Sequence, residues 1–354
     1  MFKRLCLILL MLIPLVVCGQ PSHYAVSITS GRIIPVNGSR YQGVTPTIGA
    51  AAQILWQQPS TDYWQHFWHN PFFGIHCGFA HIEDDLVGER RELGGVVLTP
   101  LTKHLFLDYK IGLSFYTDPY SRTHNEDNIF IGSYVNALLA VALRFNVTIK
   151  TGLHISLGAG IVHSSSGYLS KPNHGLNYLQ ADLSFMWPSR STAKALEQTK
   201  HSDTRADSSL FIPAIRPYLS VAPALVMSRN DAIEDNKYYF AYTLQGGAIL
   251  HPHPCFSAGC NIDIMYNYAH KSSALEGEAG VYFGASLFGE AHWGRFTLRA
   301  GAGRYLDYYP QNWEQWYLRG GAYWNITSRQ RIGAAMKLHY DHIDYIEWTY
   351  MIEL

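Results

Sequence analysis

The chain reads as all-β: a transmembrane antiparallel β-barrel of roughly 14–16 strands, with 12 strands or two barrel-like halves as the other arrangements. Three observations point there. Segments of about ten residues with alternating apolar and polar side chains recur from end to end, the pattern of strands with one face in lipid and one in a polar interior. The 354 residues are 14% aromatic and only 15% charged, with 24 Tyr and 30 Gly. After the N-terminal segment no apolar run approaches the roughly 18–20 residues a membrane-spanning helix needs. Any crossing must then use strands, and only a closed sheet leaves no backbone group unsatisfied in lipid.

In chain order, residues 1–19 have the form of a secretory signal: Lys3 and Arg4, the apolar run Leu5 to Val17, then Cys18 and Gly19. The mature chain is expected to start near Gln20. Cys18 also permits a lipoprotein reading, which the bulk of Val17 before it disfavours. Residues 20–187 hold about eight candidate strands and the candidate site, 188–210 form a polar linker almost free of aromatics, and 211–354 hold six to eight further strands. Outside the signal remain Cys77, Cys255 and Cys260, too few for a disulfide framework and not spaced as a zinc site. Cys255 and Cys260 are close enough in sequence to pair across a short loop.

Individual strands show the alternation. Leu105, Leu107, Tyr109, Ile111, Leu113 and Phe115 oppose Phe106, Asp108, Lys110, Gly112, Ser114 and Tyr116. Val135, Ala137, Leu139, Val141, Leu143 and Phe145 oppose Tyr134, Asn136, Leu138, Ala140, Ala142 and Arg144. The chain closes the same way, with Ile346, Trp348, Tyr350, Ile352 and Leu354 against Glu347, Thr349 and Glu353. Charges on the inner row argue against a dry β-sandwich core. Tyr116, Tyr120, Tyr178, Trp187 and Trp348 are placed as interfacial girdle residues. The likeness of 148–152 to 297–301 suggests a repeat in which Arg304-Tyr305-Leu306 would stand for His163-Ser164-Ser165.

The run from Leu153 to Ser165 carries the chemistry. With a period of two, Leu157, Ala159, Ile161, His163 and Ser165 share one face, so a His-x-Ser pair continues an apolar row. A serine hydroxyl becomes a nucleophile when a base takes its proton and a third group fixes that base. His163 and Ser165 supply the first two. Asn177 heads the apolar row of the next strand and can accept the imidazole N–H without adding charge. In the turn between, Ser166, Gly167 and Asn173 are candidates to hold substrate or a developing oxyanion, and Lys171 to meet a phosphate.

The runs 131–136, 158–167 and Lys171-Pro172-Asn173-His174-Gly175-Leu176-Asn177 resemble the lipid A 3-O-deacylase family, known in some bacteria as acyloxyacyl hydrolase. The resemblance covers roughly the first half of the chain. It implies an outer-membrane barrel that hydrolyses an ester-linked acyl chain of lipid A at a lipid-facing site, with His163 as base, Ser165 as nucleophile and no cofactor. Two positions depart from the family: Ser166 stands where Asn is usual, and Asn177 where Glu is usual. Outer-membrane phospholipase A, which needs calcium and a dimer, resembles the His-x-Ser and Asn arrangement too, although no acidic cluster marks a calcium site at this loop.

Three functions follow for comparison: an outer-leaflet esterase acting on lipid A or another outer-leaflet lipid, a porin, and a structural or adhesive barrel. The net charge of zero gives no reason to expect nucleic acid, and nothing fixes an oligomeric state. The runs Glu83-Asp84-Asp85 and Glu89-Arg90-Arg91 read as solvated loops, His251-Pro252-His253-Pro254-Cys255 as a stiff turn rather than a metal site, and 284–288 as ordinary strand.

Overall fold

The computed structural model describes residues 20–34, 45–57, 62–83, 86–149, 152–167, 169–192, 212–227, 238–268, 280–306, 315–339 and 343–354. The expected signal at residues 1–19, most of the expected linker and residues 84–85 lie outside them. The described chain is all-β. Its strands are β1 (His23–Ile33), β2 (Pro46–Trp56), β3 (Phe72–Ile82), β4 (Arg90–Pro100), β5 (Leu105–Tyr116), β6 (Val135–Thr148), β7 (His154–Ser165) and β8 (Leu176–Pro188). After the linker come β9 (Ala214–Met227), β10 (Tyr238–His253), β11 (Phe256–Asn267), β12 (Val281–Trp293), β13 (Phe296–Tyr305), β14 (Trp316–Asn325), β15 (Gln330–Leu338) and β16 (Ile343–Glu353). One short helix, α1 (Tyr63–Phe67), sits in the β2–β3 connection, where the Gln65 side chain accepts the Asp62 backbone N–H at 3.0 Å.

These strands form two closed barrels of eight rather than one sheet. In the first, β1 pairs with β2 on one side and with β8 on the other, from His23 opposite Pro188 to Ile33 opposite Tyr178. In the second, β9 pairs with both β10 and β16. Closure removes the unpaired edges that an open eight-stranded sheet would expose to lipid. The chain divides into two compact units, one holding the first barrel and the other the second barrel together with residues 167–174 of the β7–β8 connection.

The proposed repeat fails on this topology. Thr148 ends the sixth strand of the first barrel, whereas 297–301 lie inside the fifth strand of the second. Shared strand grammar, not shared position, makes the two segments look alike.

Facing follows the alternation. Val141, Leu143, Phe145, Leu157, Ile161, Leu179 and Leu183 are exposed on the outside of the first barrel, while Asp108, Arg144 and Asp182 are buried inside it. There Arg144 spans two strands, with Nη2 2.7 Å from Asp108 Oδ2 and Nη1 2.5 Å from Asp182 Oδ1. Arg90 departs from the solvated loop expected of it. It opens β4, is 2% exposed, pairs with Glu92 at 2.8 Å and lies 4.2 Å from the centre of the Tyr178 ring. Tyr116 and Tyr178 likewise leave the interfacial girdle. Their parity turns them inward, where their hydroxyls meet at 3.1 Å. Trp187, against Tyr24, keeps the outward place.

The second barrel is filled in the same manner. Arg319 reaches Asp263 at 2.8 Å and Glu347 at 3.0 Å, and Arg299 and Arg331 share Glu290 Oε1 at 2.7 and 2.8 Å. The cavity between Gln245, Asn261, Arg299 and Arg319 measures about 10 Å³, room for one water at most.

One end of the first barrel is stoppered by loops. Val87 from the β3–β4 connection, and Phe130 and Ile131 from the β5–β6 connection, join Tyr116, Leu138, Val162, Leu176 and Tyr178 in an apolar cluster. Asn128 organises it: its Oδ1 accepts the N–H groups of Phe130 and Ile131 at 3.0 and 3.1 Å, and its Nδ2 donates to the carbonyls of Leu86 and Asp118 at 2.7 and 2.9 Å.

Candidate active site

β7 and β8 are an antiparallel pair whose register sets His163 directly opposite Asn177. Opposed residues on one face of such a pair hold their Cβ atoms roughly 4.5–5.5 Å apart, within reach of a side-chain bond. His163 Nδ1 and Asn177 Oδ1 are 2.8 Å apart. An amide oxygen only accepts, so Nδ1 carries the proton and donates it. That leaves Nε2 as the basic nitrogen.

Ser165 follows two residues later on the same face of β7, continuing the row of Leu157 and Ile161, which are 64% and 53% exposed. Only 1% of Ser165 is exposed, and His163 is half-buried. Neither His163 Nε2 nor Ser165 Oγ makes a hydrogen bond. A buried hydroxyl and a buried basic nitrogen left unpaired on one face are costly to maintain in a purely structural position. The bond between them is unmade in this rotamer, and in unliganded enzymes such bonds are often long until substrate is bound. Ser164 between them points into the barrel, where Ser114 Oγ donates to it at 3.1 Å.

The remaining site candidates all belong to the β7–β8 connection. Ser166, Gly167 and Asn173 are buried and Lys171 is half-buried. Gly175, which closes the Pro172-Asn173-His174-Gly175 part of the family resemblance, has a position the sequence did not specify. Its φ of +71° is a conformation that favours glycine, and its N–H donates to the Phe130 carbonyl at 3.0 Å. A Cβ there would sit 3.1 Å from His163 Cε1 and 3.2 Å from Ser165 Cβ. In the sequence it stood only as the last residue of that run, a glycine among turn formers just before a strand.

A second serine–histidine grouping lies inside the other barrel. Ser257 Oγ is 2.7 Å from both His251 Nδ1 and His292 Nε2, His292 Nδ1 is 2.9 Å from Thr297 Oγ1, and His251 Nε2 is 3.3 Å from Glu353. Ser257, His292 and Glu353 are buried, and Arg216 and Arg331 also hold Glu353, so the grouping is a polar core network. His251 thus belongs to the barrel interior, while His253 Nδ1 accepts the Cys255 N–H at 3.1 Å. Among the described residues no three His, Cys, Asp or Glu side chains are grouped to hold a metal ion. Cys77, Cys255 and Cys260 are free thiols, so the pairing of Cys255 with Cys260 is not formed.

Comparison with known proteins places both barrels. The family model described as lipid A 3-O-deacylase (PagL) matches residues 50–186, and that described as acyloxyacyl hydrolase, C-terminal domain, matches residues 218–354. No curated protein matches. Among solved structures, two mutants of the Rh. blastica porin are similar at 11% and 12% identity, each over 94% of this chain and 99% of theirs, with TM-scores of 0.21 and 0.23. The two family models together take in more than half of the chain and leave out little besides the N-terminal segment and the linker. The chain belongs to the lipid A 3-O-deacylase (acyloxyacyl hydrolase) family, a family of carboxylic ester hydrolases.

Proposed function

We propose that this protein is an outer-membrane serine esterase that removes an ester-linked acyl chain from lipid A at Ser165, His163 and Asn177. The observation that carries the reading is the 2.8 Å bond from His163 Nδ1 to Asn177, which leaves Nε2 basic on the strand face that also presents the unpaired Ser165 hydroxyl. A turn of the Ser165 side chain completes the relay. Ser165 Oγ attacks the ester carbonyl while its proton passes to Nε2, and His163 then returns that proton to the departing sugar hydroxyl. The acyl-enzyme is cleaved by water with His163 again taking the proton. Ser166, Gly167 and Asn173 are the proposed contacts for the developing oxyanion and the substrate, and Lys171 for a lipid A phosphate.

An apolar outer surface supplies the rest. A lipid substrate diffusing in the leaflet arrives with its acyl chains already among Leu157, Ile161 and Leu179, on the strand face that continues to His163 and the enclosed Ser165. Export through the N-terminal segment and residence in the outer membrane of a Gram-negative cell belong to the same reading. A porin is disfavoured by the ion pairs that fill both interiors.

Mass spectrometry of lipid A from cells expressing the parent or Ser165→Ala tests the proposal. The parent is expected to shorten the acyl complement by one ester-linked chain and Ser165→Ala to leave it whole, with His163→Ala matching it. A rate loss of roughly a thousandfold or more is the scale expected on losing the nucleophile. Identical lipid A from parent and Ser165→Ala cells sinks the reading. Phospholipid vesicles with and without calcium separate it from a phospholipase.

A further inference from the structure

We propose that Gly175 and Asn128 are positioning residues for the Ser165–His163 pair, coupling the loop stopper of the first barrel to the site. The inference rests on the proposed site and deepens it. Three connected observations carry it. The bare Cα of Gly175 is packed so closely that an added methyl would lie 3.1 Å from the His163 ring and 3.2 Å from Ser165 Cβ. Gly175 is fixed there by the bond from its N–H to the Phe130 carbonyl, at 3.0 Å. Phe130 is in turn fixed by Asn128, whose amide oxygen receives the Phe130 and Ile131 N–H groups while its NH₂ ties down the Leu86 and Asp118 carbonyls.

Asn128 has no exposed surface and Phe130 is 2% exposed, so this chain of bonds runs through a packed interior. Ser165 is enclosed and His163 half-buried although both stand on the outward row of β7, so loop residues must supply packing that the strand face does not. The wall of Gly175 supplies it on one side. It limits where the imidazole and the serine Cβ can sit, and so sets the gap the proton must cross. Displacement of a reacting group by about 1 Å costs on the order of a hundredfold in rate.

Asn125 provides the control. Its Nδ2 donates to the same Leu86 and Asp118 carbonyls, at 2.8 and 3.0 Å, but it holds neither Phe130 nor Ile131. Loss of Asn125 therefore loosens the loop tie and spares the link to Gly175.

The test is steady-state hydrolysis of purified lipid A in detergent micelles by the full chain, with folding checked by heat-modifiable migration in SDS gels. Gly175→Ala is expected to lower kcat by roughly tenfold to a hundredfold with KM within about twofold of the parent. Asn128→Ala should do the same more weakly. Asn128→Asp, which keeps the acceptor for Phe130 and Ile131, should recover part of the loss, and Asn125→Ala should behave as the parent. Should Gly175→Ala fail to fold, the contrast of Asn128→Ala with Asn125→Ala decides. Parent-like kcat in folded Gly175→Ala and Asn128→Ala, with Ser165→Ala dead, overturns this inference alone. Full activity in Ser165→Ala overturns the site on which it rests.

Discussion

With Nδ1 of His163 bonded to the Asn177 amide, the imidazole proton sits away from Ser165, the tautomer a general base requires. An amide fixes that tautomer as well as a carboxylate does but offers no charge to the imidazolium formed during attack. Asn177→Ala removes both the acceptor and the orientation, and initial rates on lipid A micelles are expected to fall by roughly a hundredfold. Asn177→Asp keeps an oxygen at the same place and adds the charge, so its rate is expected to be no lower than the parent's. A dead Asp variant alongside an active parent would show that Asn177 serves through its NH₂ instead. Cysteine chemistry gives a separate check. Cys77 and Cys260 are exposed on the outer faces, whereas Cys255 is fully buried and burial pushes its thiol up to about 12. A membrane-permeant maleimide should label the first two in the folded protein and Cys255 only after unfolding. The common face of His163, Ser165 and Asn177 was legible in the sequence because strand periodicity decides which side chains share a face, while the roles proposed for them came from the family resemblance. The contacts of Gly175 and Asn128 were not, because they are made by loop backbone that no periodicity describes.

Elements show the same division. β5 and β7 match the alternating runs almost to the residue, since each alternation ends where a turn former begins. The helix Tyr63–Phe67 was invisible in a stretch that is aromatic on every side. Arg90 looked like a loop residue because sequence cannot say that it turns inward to pair with Glu92 along its own strand and to meet the Tyr178 ring from β8. Across the interior of the first barrel, Arg144 neutralises two carboxylates from different strands. Arg144→Ala would leave Asp182 buried without its ion pair and Asp108 with the more distant Lys110, at 3.5 Å, a loss on the order of 3–5 kcal/mol. Urea titration of the protein in detergent micelles, followed by tryptophan fluorescence, should read a correspondingly lower midpoint for the variant. An unchanged midpoint would mean that the network contributes little to holding the barrel.

For the whole molecule, strand number was legible and strand partnership was not. Alternation marks each strand locally, but nothing local states that β8 returns to β1 instead of passing its edge to β9. Only the polar linker hinted at two halves. Eight-stranded barrels have interiors just wide enough for side chains, and here paired ions and apolar clusters occupy them. Planar bilayers containing the folded protein are therefore expected to show no steady conductance above background; open-channel steps would contradict the packed interiors. A fragment of residues 20–192 contains every hydrogen-bonding partner of β1 through β8 and is expected to fold in detergent and migrate as a heat-modifiable band by itself.

The pairing of His23 with Pro188 also decides where damage can spread. A chain cut short before β16 deprives β15 and β9 of a neighbour and reopens the second barrel along both edges, yet every ladder from β1 to β8 remains complete. Premature termination late in translation would thus leave an intact cylinder bearing His163, Ser165 and Asn177 beside an adhesive, half-built one. The hazard of such a truncated product is aggregation through unsatisfied strands rather than loss of the proposed site.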